Sequence, residues 1–395
     1  MISIVLTGLA VVVMVPVLTF SLQCFLSFLP GRTSTNPTDS SKPHPRTTVL
    51  IPAHNERDII GGIIGDVISQ LHEGDRAIVI ADNCDDDTAE VSRGFGAEVI
   101  ERTNLEHRGK SYALQYALNL LSEEDVLPEV VIVVDADCRI SSQAISLLST
   151  KAGQLNRPAQ GSYIFGGLKG SANSNLASSF TLWFKNHIRP LGSMRAGMPC
   201  QLTGSGMAFP WEAIRKVNVA NKSLAEDTTL GLELAYLGYA PTFCPEAKID
   251  GNVPKAWGTL VQQRRRWEQG YLESIVSNAP KMALRSITSL RPSLLWAAFD
   301  LCIPPLALLG MAWAALFAAA CVLAAFNGSQ LPLIMLSIGA VLVAASLVLG
   351  WLIHCRKQVP LQAILSMPWF LVRKVRIYLS LLFEREKVWL KTERD

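Results

Sequence analysis

The chain has 395 residues, of which 49% are hydrophobic and 17% are charged, and its formal net charge is +3. This weak charge, without basic clusters interleaved with aromatic residues, excludes a typical nucleic-acid-binding protein. The eight cysteines show no paired spacing, so neither disulfides nor a zinc site are expected.

Three stretches are apolar and long enough to cross a bilayer, which takes about 20 residues. Residues 1–30 form the first and lack the basic start of a signal peptide, so we expect a retained anchor. Residues 294–326 and 331–354 form the second and third spans, with Asp300 predicted at the membrane interface. A transporter is disfavoured, because the second and third spans carry no internal charge and no inverted repeat is visible.

Basic residues next to the spans predict the orientation of the chain. Such residues favour the inner side of a membrane, so the region between spans one and two and the C-terminus should both be cytoplasmic. The residues concerned are Arg32, Lys42, Arg46, Arg285, Arg291, Arg356 and Lys357.

A linker over 31–46, rich in Ser, Thr and Pro, leads into a predicted catalytic domain over 47–280. Strands and helices alternate in the first part of this domain, which predicts a doubly wound α/β sheet, parallel over that part. Neither GxxxxGK[ST] nor GxGxxG is present, so an ATPase and a dinucleotide enzyme are not supported. The predicted strands are Thr47–Pro52, Arg76–Asp82, Val99–Ile100 and the apolar run from Val130.

The run Val130–Val134 ends abruptly in Asp-Ala-Asp. Ligands bind at the carboxyl ends of strands in such sheets, and residues two apart point the same way, so Asp135 and Asp137 can converge on one cation. Hard oxygen ligands suit Mg²⁺ or Mn²⁺, which would hold a diphosphate. An ordinary surface turn is the alternative interpretation.

The second half of the domain offers three further features. A helix is predicted over Ser178–Met198, and the small residues Gly204 and Ser205 form a corner where backbone can approach a ligand. Glu226 and Asp227 open a helix that runs to Leu237, where an acid can also serve only as a cap.

A helix over Gly258–Ile275 presents Gln263, Arg266 and Trp267 on one face. This trio suits a sugar stacked on the indole and a diphosphate bound by the guanidinium. Contact of the arginines with lipid headgroups is the alternative. Residues 360–395 are predicted as an amphipathic helix at the membrane interface followed by a cytoplasmic tail.

Taken together, the motifs resemble those of membrane-bound family 2 glycosyltransferases, the group of cellulose, chitin-oligosaccharide and hyaluronan synthases. The resemblance covers roughly 47–269 and the flanking spans. It departs from the family pattern at Ala81, where a second acid is usual, and at Ala225, where Thr is usual. The matching segments are PAHNE, ADNCDDDT, HRGK, DAD, AEDT and QRRRW.

The resemblance implies a GT-A-type fold with a doubly wound mixed sheet, and an inverting transfer from a nucleotide-diphosphate sugar, with a UDP-sugar expected. It implies Asp227 as the general base and Asp135 and Asp137 as ligands of Mg²⁺ or Mn²⁺. The implied contacts with the nucleotide sugar are Pro52, His54, Glu56, Asp82, Lys110, Asp135 and Arg266. The implied contacts with acceptor and diphosphate are Gly204, Ser205, Glu226, Gln263 and Trp267.

The expected function is sugar transfer to a lipid-linked or glycan acceptor in cell-surface polysaccharide synthesis, at a bacterial inner membrane. The alternative is a processive synthase that extends and exports a β-linked polymer. Three spans are few for a wide pore, although an oligomer or other polysaccharide-assembly proteins could supply more. A non-catalytic scaffold is disfavoured, because all the expected acids are present.

Overall fold

The computed structural model describes residues 1–30, 43–165, 176–221, 223–251, 257–326 and 328–383. The chain divides into two compact units. The described residues within 1–30, 172–198 and 264–386 form the helical unit, and those within 31–171 and 199–263 form the sheet unit. Residues 176–198 and 264–280, which we predicted within the catalytic domain, therefore belong to the helical unit.

The sheet unit contains one mixed sheet of eight strands in the order β3-β2-β1-β4-β7-β6-β8-β5. The strands are β1 Thr47–Ala53, β2 Arg76–Asp82, β3 Glu98–Arg102, β4 Val130–Val133, β5 Cys138–Ile140, β6 Ala159–Phe165, β7 Met207–Pro210 and β8 Thr242–Gly251. Strands β1 to β4 are parallel, as predicted. Strand β7 is antiparallel to both β4 and β6, which makes the sheet mixed.

The helices are numbered in chain order, and the second to fifth, the eighth and the ninth belong to the sheet unit. They are α1 Ile2–Leu26, α2 Ile60–Ile68, α3 Thr88–Gly94, α4 Lys110–Ser122, α5 Ala144–Leu155, α6 Leu176–Trp183, α7 Arg189–Arg195, α8 Trp211–Ile214, α9 Glu226–Tyr236, α10 Trp257–Ser289, α11 Pro292–Leu301, α12 Leu306–Ala325, α13 Leu331–Gly350, α14 Leu361–Leu365 and α15 Met367–Phe383. Two π-helical segments, Phe184–Ile188 and Trp351–Cys355, follow α6 and α13.

The sheet is buried on both faces. Strand residues such as Leu50 and Val131 pack in one core cluster with Leu114 of α4 and Leu230 of α9. Their neighbour Ile132 points to the opposite face, because side chains alternate along a strand, and it is also fully buried. Burial on both faces explains why these strands read as continuous apolar runs rather than as alternating ones.

Within the described residues, three helices are long and apolar enough to cross a membrane: Ile2–Leu26, Leu306–Ala325 and Leu331–Cys355. The prediction of one continuous span over 294–326 was wrong, because α11 and α12 are separate helices there. Pro304 and Pro305 lie between them and have no backbone N–H, so the helical hydrogen-bond ladder is interrupted. The amphipathic helix α15 exposes Trp369 and Val372, and its location at a membrane surface stays a prediction.

A buried polar group ties α1, α7 and α11 together in the helical unit. The Gln23 amide donates to Asp300 Oδ1 at 2.7 Å, and the Arg189 guanidinium donates to the same oxygen at 2.8 Å and to Gln23 Oε1 at 2.9 Å. Asp300 is 5% exposed. Partners within the protein satisfy the charge of Asp300, and its predicted position at the membrane interface stays a prediction.

Gly192 on α7 marks a close approach of two helix backbones. A Cβ atom added there would overlap the carbonyl oxygen of Gln23 on α1. We expect Gly192→Ala to push these helices apart and to destabilise the protein by about 1–3 kcal/mol. Thermal unfolding in detergent measures this, with Gly8→Ala as the matched control, because nothing lies within 4 Å of its added Cβ. Equal melting temperatures for the two variants would contradict the expectation.

Candidate active site

The carboxyl ends of three adjacent parallel strands carry predicted site residues. Asp82 ends β2, Glu56 follows β1, and Asp135 and Asp137 follow β4. Since β2, β1 and β4 are neighbours in the sheet, these residues lie along one edge. This is the edge where ligands bind in open α/β sheets.

Asp135, Asp137 and Cys138 form a compact group whose oxygen and sulfur atoms lie within 4.8 Å of one another. Burial, assisted by the nearby charge of Asp137, raises the pKa of the Cys138 thiol well above its ordinary value. The thiol is therefore protonated at neutral pH, and the anionic donors of the group are the two carboxylates. Such a donor set fits a hard cation such as Mg²⁺ or Mn²⁺ better than it fits zinc.

Lys110, the first residue of α4, contributes a cation to the same group. Its ammonium forms an ion pair with Asp135 and donates a hydrogen bond to the carbonyl oxygen of Gly204 at 2.5 Å. Burial by itself would lower the pKa of Lys110, but the charge of Asp135, with Glu226 and Asp227 further away, raises it overall. The ammonium therefore stays charged at neutral pH.

The corner around Gly204 contacts both the residue group after β4 and the start of α9. The Ser205 hydroxyl accepts a hydrogen bond from the backbone N–H of Asp135 at 3.0 Å. A Cβ at Gly204 would lie 3.5 Å from Asp227 Oδ2, so this carboxylate faces the corner. The structure thus brings Asp135, Lys110 and Asp227 together around the small residues that the sequence analysis singled out.

Asp227 lies in the first turn of α9, where its Oδ1 accepts the backbone N–H of Thr228 at 2.8 Å. One carboxylate oxygen of Asp227 therefore binds a backbone N–H at the start of the helix, as the capping alternative expected. The other oxygen faces Gly204. A carboxylate held in this way keeps a fixed direction, which a proton acceptor in catalysis requires.

Asp82 is only 6% exposed and forms an ion pair with Arg102, at the end of β3. The His54 imidazole donates to the backbone carbonyl of Asp82 at 2.7 Å, and Arg102 also donates to the carbonyl of His107 at 2.7 Å. Arg102 thereby fixes both Asp82 and the loop that precedes Lys110. Arg102 was not predicted as a site residue, although a basic residue two positions after the predicted strand Val99–Ile100 was a usable signal.

The remaining predicted residues lie in three places. Pro52 is within β1, next to Ile80 of β2, and the backbone N–H of Glu56 donates to the Thr88 hydroxyl of α3 at 2.9 Å. Arg266 and Trp267 are half-buried residues of α10 in the helical unit. The side chain of Gln263 lies outside the described part of the chain.

Residues 130–353, more than half of the chain, match the family described as "Glycosyl transferase family group 2", and residues 48–191 match "Glycosyl transferase family 2". The chain belongs to glycosyl transferase family group 2. The resemblance to family 2 glycosyltransferases that the sequence motifs predict is thereby confirmed.

Two relatives illustrate how far the similarity of this glycosyltransferase extends. It is 28% identical over 245 residues to "Probable glycosyltransferase YdaM" of Bacillus subtilis (strain 168), covering 59% of this chain and 56% of that protein. It is 38% identical over 73 residues to the 4,4'-diaponeurosporenoate glycosyltransferase of Staphylococcus aureus, covering 18% and 19% of the two chains. The glycosyltransferase therefore spans little more than half of the first relative's length.

A solved structure resembles nearly the whole glycosyltransferase. It is the mannosyltransferase PcManGT from Pyrobaculum calidifontis, in complex with GDP-Man and Mn²⁺, with a TM-score of 0.60 and 18% sequence identity. The match covers 96% of this chain and 100% of that chain. At this level of identity the likeness establishes the fold, and the predicted GT-A-type fold is confirmed.

The Lys110–Asp135 ion pair of the glycosyltransferase predicts a pH-independent effect on stability near neutrality. Because the pKa of Lys110 is raised in the folded state, the contribution is complete below pH 10.5, the ordinary lysine value, and is lost only as pH rises through the higher folded value. We expect Lys110→Met to cost about 1–3 kcal/mol. The melting temperature should fall by the same interval at about pH 6 and about pH 9. Lys248→Met, at an exposed position of β8, is the control. A difference in melting temperature between wild type and Lys110→Met that disappears below about pH 9 would contradict the expectation.

Proposed function

We propose that this glycosyltransferase transfers a sugar, with inversion, from a nucleotide-diphosphate sugar to a lipid-linked or glycan acceptor at the cytoplasmic face of a membrane. The observation that carries the proposal is the grouping of Asp135, Asp137, Lys110 and Asp227 around the corner at Gly204. Two carboxylates for a cation, an ammonium for a diphosphate and a separate carboxylate for a proton are the parts that this reaction needs.

Inversion takes place in one displacement, in which the acceptor hydroxyl forms a bond to the anomeric carbon while the bond to the diphosphate breaks. Asp227 accepts the proton of the attacking hydroxyl, and its fixed orientation against Gly204 and Thr228 keeps the carboxylate in place. The Lys110 ammonium offsets the negative charge that grows on the departing diphosphate.

Asp135 and Asp137 hold the divalent cation in this proposal, and bound Mg²⁺ or Mn²⁺ supplies further electrostatic stabilisation to the diphosphate. PcManGT, which shares the fold, is in complex with GDP-Man and Mn²⁺. GDP-mannose is therefore a donor to be tested beside UDP-sugars. The roles that the QRRRW motif implies for Arg266 and Trp267 stay predictions.

The acceptor is proposed to be attached to a lipid because three helices are long and apolar enough to cross a membrane. Basic residues flank these helices on the side that we assign to the cytoplasm. A catalytic unit tethered there would meet nucleotide sugars from the cytoplasm and lipid-linked glycans from the inner leaflet.

The proposal can be tested in two steps on the detergent-solubilised full chain. Thermal-shift screening of UDP- and GDP-sugars with Mg²⁺ and Mn²⁺ identifies the donor, and a stabilising pair is expected to need both nucleotide and metal. Incubation of that donor in radiolabelled form with a membrane lipid extract then reports the product. One added sugar on a lipid-extractable product supports the proposal. A long series of products of increasing size would favour the processive synthase. The absence of any transfer with any donor would overturn both the single transfer and the processive alternative.

A further inference from the structure

Gln160 of β6 is a buried polar side chain, 1% exposed, to which the proposed mechanism gives no role. Strand β6 pairs with β7 only at Ala159 and Gln160, and one further hydrogen bond joins Gly161 N–H to the carbonyl of Gly206 at 2.8 Å. Before Gly206 the chain turns away from β6 into the corner at Gly204. Buried backbone groups that leave a sheet in this way need other partners.

The Gln160 amide supplies those partners at both ends of the corner. Its Oε1 accepts the backbone N–H of Thr203 at 2.8 Å, and its Nε2 donates to the carbonyl of Ser205 at 2.9 Å. The same Nε2 donates to the carbonyl of Gly161 at 2.9 Å, which fixes the amide on its own strand. One side chain therefore holds the residues on both sides of Gly204.

Gln160 binds Thr203 and Ser205, which flank Gly204, and both Gly204 and Ser205 contact residues of the site. The carbonyl of Gly204 accepts from Lys110, and the Ser205 hydroxyl accepts from the backbone N–H of Asp135. Gly206, at the end of the turn, has a φ of +67°, and a Cβ added there would strike Ile249. Position 206 therefore cannot carry a side chain that would hold the turn. The position of the corner thus depends on β6 through Gln160 as well as on the backbone.

We propose that Gln160 is a positioning residue of the glycosyltransferase. Its amide fixes the segment Thr203–Ser205 so that Gly204 and Ser205 hold Lys110 and Asp135 in the arrangement that receives the nucleotide diphosphate. The inference rests on the proposed function for its consequence in turnover, but its structural part can be measured without substrate.

Hydrogen exchange followed by mass spectrometry, on the full chain in detergent, tests the structural part. Gln160→Met keeps the length of the side chain and removes the three hydrogen bonds. We expect faster exchange in peptides covering 202–206 and in those covering 134–137, where the Asp135 N–H bonds to Ser205. Ser149→Ala is the matched control, because it removes a buried hydroxyl that bonds to Thr47 at the opposite end of β1. The control is expected to leave both peptides unchanged.

Turnover supplies the second measurement, with the donor found by the screen. Gln160→Met is expected to raise KM for the nucleotide sugar by about tenfold, the effect of losing the two ordinary hydrogen bonds to Thr203 and Ser205, with a smaller change in kcat. Gln160→Glu keeps the acceptor for Thr203 and places a carboxylate against two carbonyls, so it should loosen 134–137 while Thr203 stays protected. This variant decides the question if Gln160→Met does not fold.

The outcomes separate the two proposals. Faster exchange confined to β6, or an unchanged KM in a folded but less stable variant, would overturn the role of Gln160 and leave the proposed function intact. A wild-type chain that transfers no sugar would overturn the proposed function, while the exchange of 134–137 would still decide whether Gln160 positions the corner.

Discussion

Replacing Asp227 by asparagine is expected to lower kcat by about 100-fold to 10,000-fold, the contribution typical of a positioned general base. The amide keeps the size of the side chain and an oxygen for the Thr228 N–H, so α9 should begin as in the wild type. It cannot take a proton from the acceptor hydroxyl. The dissociation constant of the nucleoside diphosphate with metal, measured by calorimetry, should stay near the wild-type value.

Glu233→Gln on the same helix is the matched control for Asp227→Asn, because it changes the charge of α9 by the same amount away from the corner at Gly204. We expect this control to turn over normally. Retention of more than a few per cent of turnover by Asp227→Asn would remove Asp227 from the role of base. Loss of nucleotide binding by that variant would instead assign Asp227 to the donor site.

The second large effect is expected for Asp137→Asn, which removes one of the two carboxylates offered to the cation. The metal concentration for half-maximal activity should rise at least about tenfold, because divalent cation sites are tuned by the number of charged ligands. Titration of Mn²⁺ into the protein without substrate checks the binding directly. Glu212→Gln, an exposed acid of α8, serves as the control. An unchanged titration for Asp137→Asn would show that Asp137 does not bind the metal.

The parallel half of the sheet was predictable because strands β1, β2 and β4 are buried on both faces and read as apolar runs. The individual strands of the other half were not located, and two of them, β5 and β7, have only three and four residues. Their place in the sheet is set by pairing with strands far away in sequence, as β5 pairs with β8. Such pairing leaves no local period in the sequence.

The candidate site was predictable to the extent that topology determines it. Residues at the carboxyl ends of parallel neighbours must share an edge, so the acids after β2 and β4 could be placed together before the structure was known. The contacts of Lys110 with Gly204 and of Gln160 with Ser205 could not be, since they depend on where a loop from the antiparallel half returns. Arg102 illustrates the intermediate case, in which the strand was predicted as Val99–Ile100 but extends from Glu98 to Arg102.

The break between α11 and α12 was readable from Pro304 and Pro305, but composition alone favoured one long span. Hydropathy measures how well a segment tolerates lipid and does not register the loss of a backbone donor. The partners of Asp300 could not be predicted either, because they are supplied by the distant helices α1 and α7.

The contact between Gln23 and Asp300 joins residues 277 positions apart, and this has a consequence for biogenesis. Helix α1 is synthesised long before α11, so an α1 that inserts into the membrane as the chain grows carries Gln23 there before Asp300 exists. Insertion and assembly are therefore separate events, and the ion pair of Arg189 is completed only at the second. A generic signal-anchor sequence grafted in place of α1 would insert equally well but would leave two buried charges without the amide between them.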